Sequence, residues 1–259
     1  MMTKTTVVWS CSHADPSVSN ERFDWLGAFL YDLKPDMVID LGDGADMRSL
    51  NSYDTKYPKA IVNQSYEQDI ESYNDSQERL WHKFRHHRKK RPYRVGFEGN
   101  HEHRIKTAIA HDPRLEGQKY GVSFSHLQTD YWFDDYHEYS NGGPAKFDYD
   151  GVLYSHFISG GNYGTALSGI HHAYTLLSNV GCSVSVGHSH KYGYYYLGST
   201  FPRPIIGHVV GCFKGKEEGW AGQANDSWRT GVVVKRNLEN GVYDHSWVSL
   251  DALRKEYGS

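Results

Sequence analysis

The chain has 259 residues, 38% of them hydrophobic and 14% aromatic, with a formal net charge of −3. A chain of this length can bury a sizeable core, and its 20 Tyr and 7 Trp argue against disorder. The balance of 28 Lys+Arg against 31 Asp+Glu removes the simplest argument for nucleic-acid binding, a globally basic chain.

Residues 5–9 (TTVVW) read as a first strand, followed by the polar loop SCSHADP. Residues 19–33 place Phe23, Leu26, Leu30 and Leu33 at helical spacing, and Pro35 closes that helix. Residues 37–41 (MVIDL) form a second strand, with GDGAD as its outgoing turn. Residues 66–91 look helical and charged, ending in HKFRHHRKKR. A third strand, 93–97, leads into EGNHEHR and a helix to about Ala110. Strands alternating with helices imply parallel βαβ units. The second half is richer in strand. Residues 149–157 read as strand, 164–179 as helix, and strands follow near 182–186, 192–197, 205–211 and 231–236. Asn240-Gly241 signals a hairpin. The stretch 111–147 looks irregular and suggests a functional insertion or cap. One α/β domain over residues 1–259 is expected, with insertions near 48–92 and 111–147.

No apolar run approaches the roughly 20 residues of a membrane helix, and the opening MMTKTTVVWSCSH lacks signal-peptide architecture. Three cysteines cannot build a disulfide framework. A soluble, cytoplasmic chain with no membrane partner is the expectation.

The 16 histidines are unusual, and their placement carries the chemistry. Five polar clusters follow apolar strands: Cys11-Ser12-His13, Gly42-Asp43-Gly44-Ala45-Asp46, Gly99-Asn100-His101-Glu102, Ser155-His156 and Gly187-His188-Ser189-His190. In open α/β sheets such loops converge on the ligand crevice. A lone His after a strand is usually a hydrogen-bonded structural residue, but five such clusters fit that reading poorly. Together they supply a nitrogen and oxygen ligand set suited to Mn, Fe or Zn.

The order GDxxD, GNHE, a lone His after a strand, then GHxH resembles the calcineurin-like metallophosphoesterase superfamily over residues 5 to about 215. The resemblance implies a four-layer α/β/β/α sandwich with two mixed central sheets. It implies a metal-dependent phosphoester hydrolase, a phosphodiesterase, nuclease or phosphatase, using a metal-activated hydroxide at a binuclear site. Two divalent ions would be the cofactors (Mn, Fe or Zn, with Mn first in vitro). Asp43 would bridge them, Cys11, His13 and His190 would complete the first site, and Asn100, His156 and His188 would hold the second. His101 would stabilise the transition state or protonate the leaving oxygen, and Asp46 would orient a ligand or His101. The substrate would be a phosphoester, with nucleotides and nucleic acid among the candidates.

The departure is Cys11, where the family's first motif, Asp-x-His, has aspartate. Three readings stay open. Cys11 ligates as thiolate and biases the first site toward Zn or Fe; the first site is weakened or empty; or Asp15 or Asp40 substitutes. The alternative function is a catalytically weakened binding module on the same fold.

Weaker signals stand beside bland readings. Arg104 either reaches a substrate phosphate or is a solvated helix residue. The basic run 82–91 either rims the site and binds a nucleic-acid backbone or is a solvated helix end. The loop 159–164 precedes an expected helix and could hold an anion, but it lacks a P-loop Lys and reads mainly as a turn. Of His171 and His172, one should face the core and one the surface. Tyr192, Tyr194, Tyr195 and Tyr196 read as packing more readily than as a base-stacking platform. Cys182 and Cys212 read as small buried hydrophobes.

Overall fold

The computed structural model describes residues 4–51, 65–87, 91–160, 164–198, 203–215 and 219–258. In chain order the strands and helices are β1 (Thr6–Trp9), α1 (Glu21–Leu33), β2 (Met37–Asp40), α2 (Tyr66–Trp81), β3 (Tyr93–Phe97), α3 (His103–His111), β4 (Asp135–His137), β5 (Phe147–Tyr149) and β6 (Val152–Ser155). There follow β7 (Ser159–Gly160), β8 (Thr165–Ala166), α4 (His172–Val180), β9 (Ser183–Val186), β10 (Tyr192–Leu197), β11 (Ile205–Val210), β12 (Gly231–Glu239), β13 (Val242–Ser249) and α5 (Leu250–Tyr257).

Two mixed sheets are stacked. The first has the order β13-β12-β1-β2-β3-β4 and the second β10-β11-β9-β6-β5. In the first, β1 through β4 run parallel, and β12 pairs antiparallel with β1. In the second, β6, β9 and β11 run parallel between antiparallel edges β5 and β10.

Strand alternation builds the layers. Val7 and Trp9 of β1 pack on Phe23, Leu26 and Leu30 of α1 and on Leu80 of α2. Val8, between them, joins Ile39 and Val95 in a cluster with Val152, Tyr154, Ile206 and Val210 of the second sheet. On the far face of that sheet, Val184, Val186 and Val209 pack on Leu176 and Leu177 of α4. The order is therefore helix, sheet, sheet, helix, as expected for a four-layer sandwich. Each fully buried Val or Leu in these layers contributes about 1.5–3 kcal/mol. Among the described residues, no helix is long and apolar enough to cross a membrane.

Several expectations need correction. The helix expected over 66–91 ends at Trp81 and tightens into a 3-10 turn at His82–Phe84. The helix expected over 164–179 begins only at His172. Gly164 and Gly169 sit at φ +63° and +107°, outside helical space. Thr165 and Ala166 instead pair with β7. The stretch 111–147 is less irregular than expected, because β4 extends the first sheet parallel to β3 and β5 pairs with β6. Helix α5 was not expected; its cap is Ser249, whose hydroxyl accepts from the Ala252 N–H at 3.1 Å. Asn240 and Gly241 do form the β12–β13 turn, both at positive φ.

Candidate metal centre

The parallel strands β1, β2 and β3 present their carboxyl ends along one edge of the first sheet, as β6 and β9 do in the second. The five polar clusters lie just beyond those ends. Their loops are tied backbone to backbone: Cys11 N–H donates to Gly42 O at 2.8 Å, His13 N–H to Asp43 O at 2.9 Å, and Gly187 N–H to His156 O at 3.0 Å. Gly42 and Gly99 press against each other, so a Cβ on either would run into the other loop's backbone. Cys11, His13, Asp43, His188 and His190 all hold left-handed backbone, with φ between +45° and +62°. Such strain in non-glycine residues costs on the order of 1–3 kcal/mol each and concentrates at functional sites.

The side chains converge in two groups around Asp43. Its Oδ2 lies 3.2 Å from His156 Nε2, 3.9 Å from His13 Nε2 and 3.9 Å from Cys11 Sγ. On one side, His13 Nε2 and His190 Nε2 stand 3.1 Å apart, and Cys11 Sγ joins them in a cluster whose ligand atoms lie within 4.8 Å of one another. On the other side, Asn100 Oδ1 lies 3.1 Å from His156 Nε2 and 2.9 Å from His188 Nδ1, with 3.2 Å between the two rings' nitrogens. Donors on one small divalent cation stand roughly 3.0–3.4 Å apart, by metal–nitrogen distances near 2.0–2.1 Å. The donor set fits divalent metal.

Protonation agrees. His156 Nδ1 donates to Leu41 O at 2.7 Å, which leaves its Nε2 facing the oxygens of Asp43 and Asn100. Burial opposes a charge on His156, but Asp43 raises its pKa, so the contact takes either a proton or a metal cation between Nε2 and Oδ2. Burial lowers His13 to about 3, with Lys214 adding to the effect. It lowers His188 to about 4 beside His156, and His190 to about 2 beside His13. These are neutral imidazoles, the form that ligates. Burial opposes the charge on Asp43, but His156 and His101 hold its carboxyl well below the usual range. Burial and the nearby Asp43 push the Cys11 thiol up, while Ser10 Oγ lies 3.1 Å from its sulfur.

The neighbours aim these groups. Asp46 Oδ1 accepts from His13 Nδ1 at 3.0 Å and lies 3.0 Å from His101 Nδ1, which is hydrogen-bonded to the Asp46 backbone carbonyl at 2.7 Å. Burial opposes its charge too, but the two histidines hold it far below the usual carboxylate range. Arg104 Nη1 donates to Asp46 O at 2.8 Å and its Nη2 to His101 Nε2 at 3.2 Å. Arg104 is thus neither solvated nor turned outward; it braces His101.

Other expected residues fall elsewhere. Asp15 accepts from the Ser17 N–H and hydroxyl at 2.7 Å. Asp40 accepts from the Gly42 N–H at 3.1 Å, and burial beside Glu102 raises it to about 8. Neither belongs to a ligand cluster among the described residues. The basic run 82–91 leads into the amino end of β3, opposite the edge that carries Asn100. Its described residues, 82–87 and 91, do not rim the site, and Arg88, Lys89 and Lys90 lie outside the described residues. Ser159 and Gly160 pair antiparallel with Ala166 and Thr165 rather than leading into a helix, and 161–163 lie outside the described residues. His172 is buried and His171 exposed, as expected. Cys212 is buried but Cys182 only partly so.

Sequence reasoning missed three contributors. Glu102 accepts from the backbone N–H of Asp43 at 3.0 Å, Ala45 at 2.8 Å and Gly99 at 2.9 Å, pinning the second and third clusters together. Trp228 sets its ring against His190, centroids 4.4 Å apart. Lys214, buried, lies over Trp228 at 5.7 Å. A signal existed for Lys214, since GCFK follows β11, which runs parallel to β9. Tyr139 lies stacked on His103 with centroids 4.5 Å apart, and its buried hydroxyl has no hydrogen-bond partner among the described residues.

No family model matches the chain, and no curated protein matches it. Among solved structures, it is similar to a conserved uncharacterized protein of Streptococcus pneumoniae, described as a predicted phosphoesterase. That likeness has 11% identity over 97% of this chain and 92% of the other, at a TM-score of 0.39. A Thermus thermophilus protein is 10% identical over 96% of this chain and 100% of its own, at a TM-score of 0.37.

Proposed function

We propose that this protein is a metal-dependent phosphoester hydrolase with a binuclear centre. The observation that carries the reading is Asp43 Oδ2, set between two donor groups. A carboxylate there can serve two cations without adding a second negative charge. Cys11, His13 and His190 would hold the first, and Asn100, His156 and His188 the second. Of the open readings for Cys11, ligation as thiolate fits best, because its sulfur shares a cluster with His13 and His190 and another with Asp43 and His156. Divalent cations so held would polarise phosphoryl oxygens and supply hydroxide at neutral pH.

The chain's own residues do the remainder. Asp46 fixes His13 with its proton on Nδ1, which leaves Nε2 as the ligating atom. His101 Nδ1 is held by the Asp46 backbone carbonyl beside the carboxylate, and its Nε2 accepts from Arg104, so Nε2 would meet a substrate or leaving-group oxygen once Arg104 turns to that oxygen. Arg104 positions that ring and keeps a positive charge beside it. Lys214 adds a buried cation beside the first donor group, suited to an anionic substrate.

The test is hydrolysis of bis(p-nitrophenyl) phosphate and p-nitrophenyl phosphate after loading with Mn, Fe or Zn. Turnover is expected for at least one metal, lost on chelation and abolished in Asp43→Asn. Near-wild-type turnover in Asp43→Asn, with metal content unchanged, would overturn the assignment. Metal binding with no turnover of any phosphoester would favour the binding module.

A further inference from the structure

A cavity of about 790 Å³ lies between the start of α4 and the edge strand β10. That volume is within the range of small-molecule pockets. One residue of its wall reaches the segment that carries two of the candidate ligands. His172, in the wall, lies 3.3 Å from the hydroxyl of Ser189, which stands between His188 and His190. Lys191, also in the wall, directly follows His190, and Ser227 directly precedes Trp228, whose ring packs on His190.

The lining has a definite chemistry. Tyr174 and Tyr195 form an edge-to-face pair with centroids 5.1 Å apart, yet they remain 48% and 40% exposed. Ile170 beside them is 91% exposed. Large apolar side chains left in water beside a cavity mark a binding surface. His172 is only 4% exposed, and its Nε2 has no hydrogen-bond partner among the described residues. Buried polar atoms of this kind are rare and call for a partner. Lys191 supplies a cation, and no Asp or Glu lines the cavity among the described residues.

We propose that this cavity is the subsite for an aromatic ring carried by the phosphoester, a nucleobase-like heterocycle seated on Tyr174 and Tyr195 with an edge group hydrogen-bonded to His172 Nε2. This rests on the phosphoesterase reading, because the ring is placed relative to a phosphoryl group at the centre. The substrate class is then a small nucleotide-like phosphoester, recognised by stacking and one polar contact. Stacking of this kind tolerates different bases.

The test is calorimetric binding of adenosine 5′-monophosphate and of ribose 5-phosphate to the metal-loaded full chain at low temperature, with phosphate release followed so that only unhydrolysed probe is counted. The expected result is at least tenfold tighter binding of adenosine 5′-monophosphate. Tyr195→Ala and Tyr174→Ala, both exposed positions, should each weaken it by about five- to thirtyfold, the loss of one stacking contact. Ribose 5-phosphate should bind the variants as it binds the wild type. Equal affinity for the two probes, binding of neither, or unchanged affinity in both variants would overturn the proposal. So would a self-association abolished by Tyr195→Ala with no adenosine 5′-monophosphate bound, which would assign the face to a second copy of the chain. Metal-dependent hydrolysis of bis(p-nitrophenyl) phosphate separates the two claims. Ring binding without any turnover retains the subsite and removes the hydrolase; turnover without ring binding does the reverse.

Discussion

Replacing Asp46 tests how the site is held. One oxygen of Asp46 accepts from His13 Nδ1 at 3.0 Å and makes a charge contact of 3.0 Å with His101 Nδ1. Hydrogen bonds to a charged group contribute about 1.5–3 kcal/mol each, and neutral ones about 0.5–1.5 kcal/mol. Asp46→Ala removes both. His101 keeps the Asp46 backbone carbonyl at 2.7 Å, but the His13 N–H loses its carboxylate acceptor and the ring is free to change tautomer. The expected loss of stability is about 2–4 kcal/mol. Metal affinity should fall by about 10–100-fold, as when a partner that orients a ligand is removed. Asp46→Asn keeps an acceptor oxygen and loses only the charge, so about half the stability loss is expected, with affinity within about tenfold. Urea unfolding gives the first quantity, and competition against a chromophoric chelator gives the second. Unchanged affinity in Asp46→Ala would refute the reasoning. Asparagine and alanine variants equally impaired would show that charge, not tautomer control, is what Asp46 supplies.

Three further outcomes follow from buried groups. Lys235 is fully buried, donates to Ser185 Oγ at 2.6 Å and Tyr154 Oη at 3.1 Å, and burial lowers its pKa well below 10.5. The unfolded chain therefore binds a proton that the native state gives up, so stability rises with pH between the depressed value and 10.5. Lys235→Met should abolish that rise and add about 1 kcal/mol or more at neutral pH; a pH-stability slope unchanged in the variant contradicts this. Cys11→Asp should move metal preference from Zn toward Mn by about tenfold or more, measured by competitive loading, since thiolate favours the softer ion; an unchanged ratio would remove Cys11 from the ligands. Tyr139→Phe deletes a hydroxyl that has no hydrogen-bond partner among the described residues, so thermal unfolding should show stability unchanged or raised by about 1 kcal/mol; a clear loss would mean that the hydroxyl is engaged.

The ligand candidates were legible because each polar cluster directly follows a short apolar strand. Parallel pairing then brings the ends of β1, β2 and β3, and of β6 and β9, to common edges. That logic needs only periodicity and strand direction. What stayed hidden depends on contacts between distant segments. Glu102 sits in a recognisable motif, but its partners are backbone N–H groups of residues 43, 45 and 99, which carry no side-chain signature. Trp228 reaches His190 from a loop far along the chain. The basic run carried two readings by charge alone, and the direction of β3 takes its described residues to the opposite end of the sheet. The late start of α4 turned on positive φ at Gly164 and Gly169, where an apolar pattern continued past a backbone that could not follow it. Strand β4 (Asp-Tyr-His) carries no alternation to read, and its parallel pairing with β3 defines it.

The central claim is that Asp43 stands between two cation sites, one of them completed by Cys11. Elemental mass spectrometry on protein purified without chelator, and again after Mn, Fe or Zn loading, tests it most directly. Two metal ions per wild-type chain, falling in Asp43→Asn, is the predicted result. One ion per chain under every condition would mean that the Cys11 group does not hold metal, and none would contradict the account altogether.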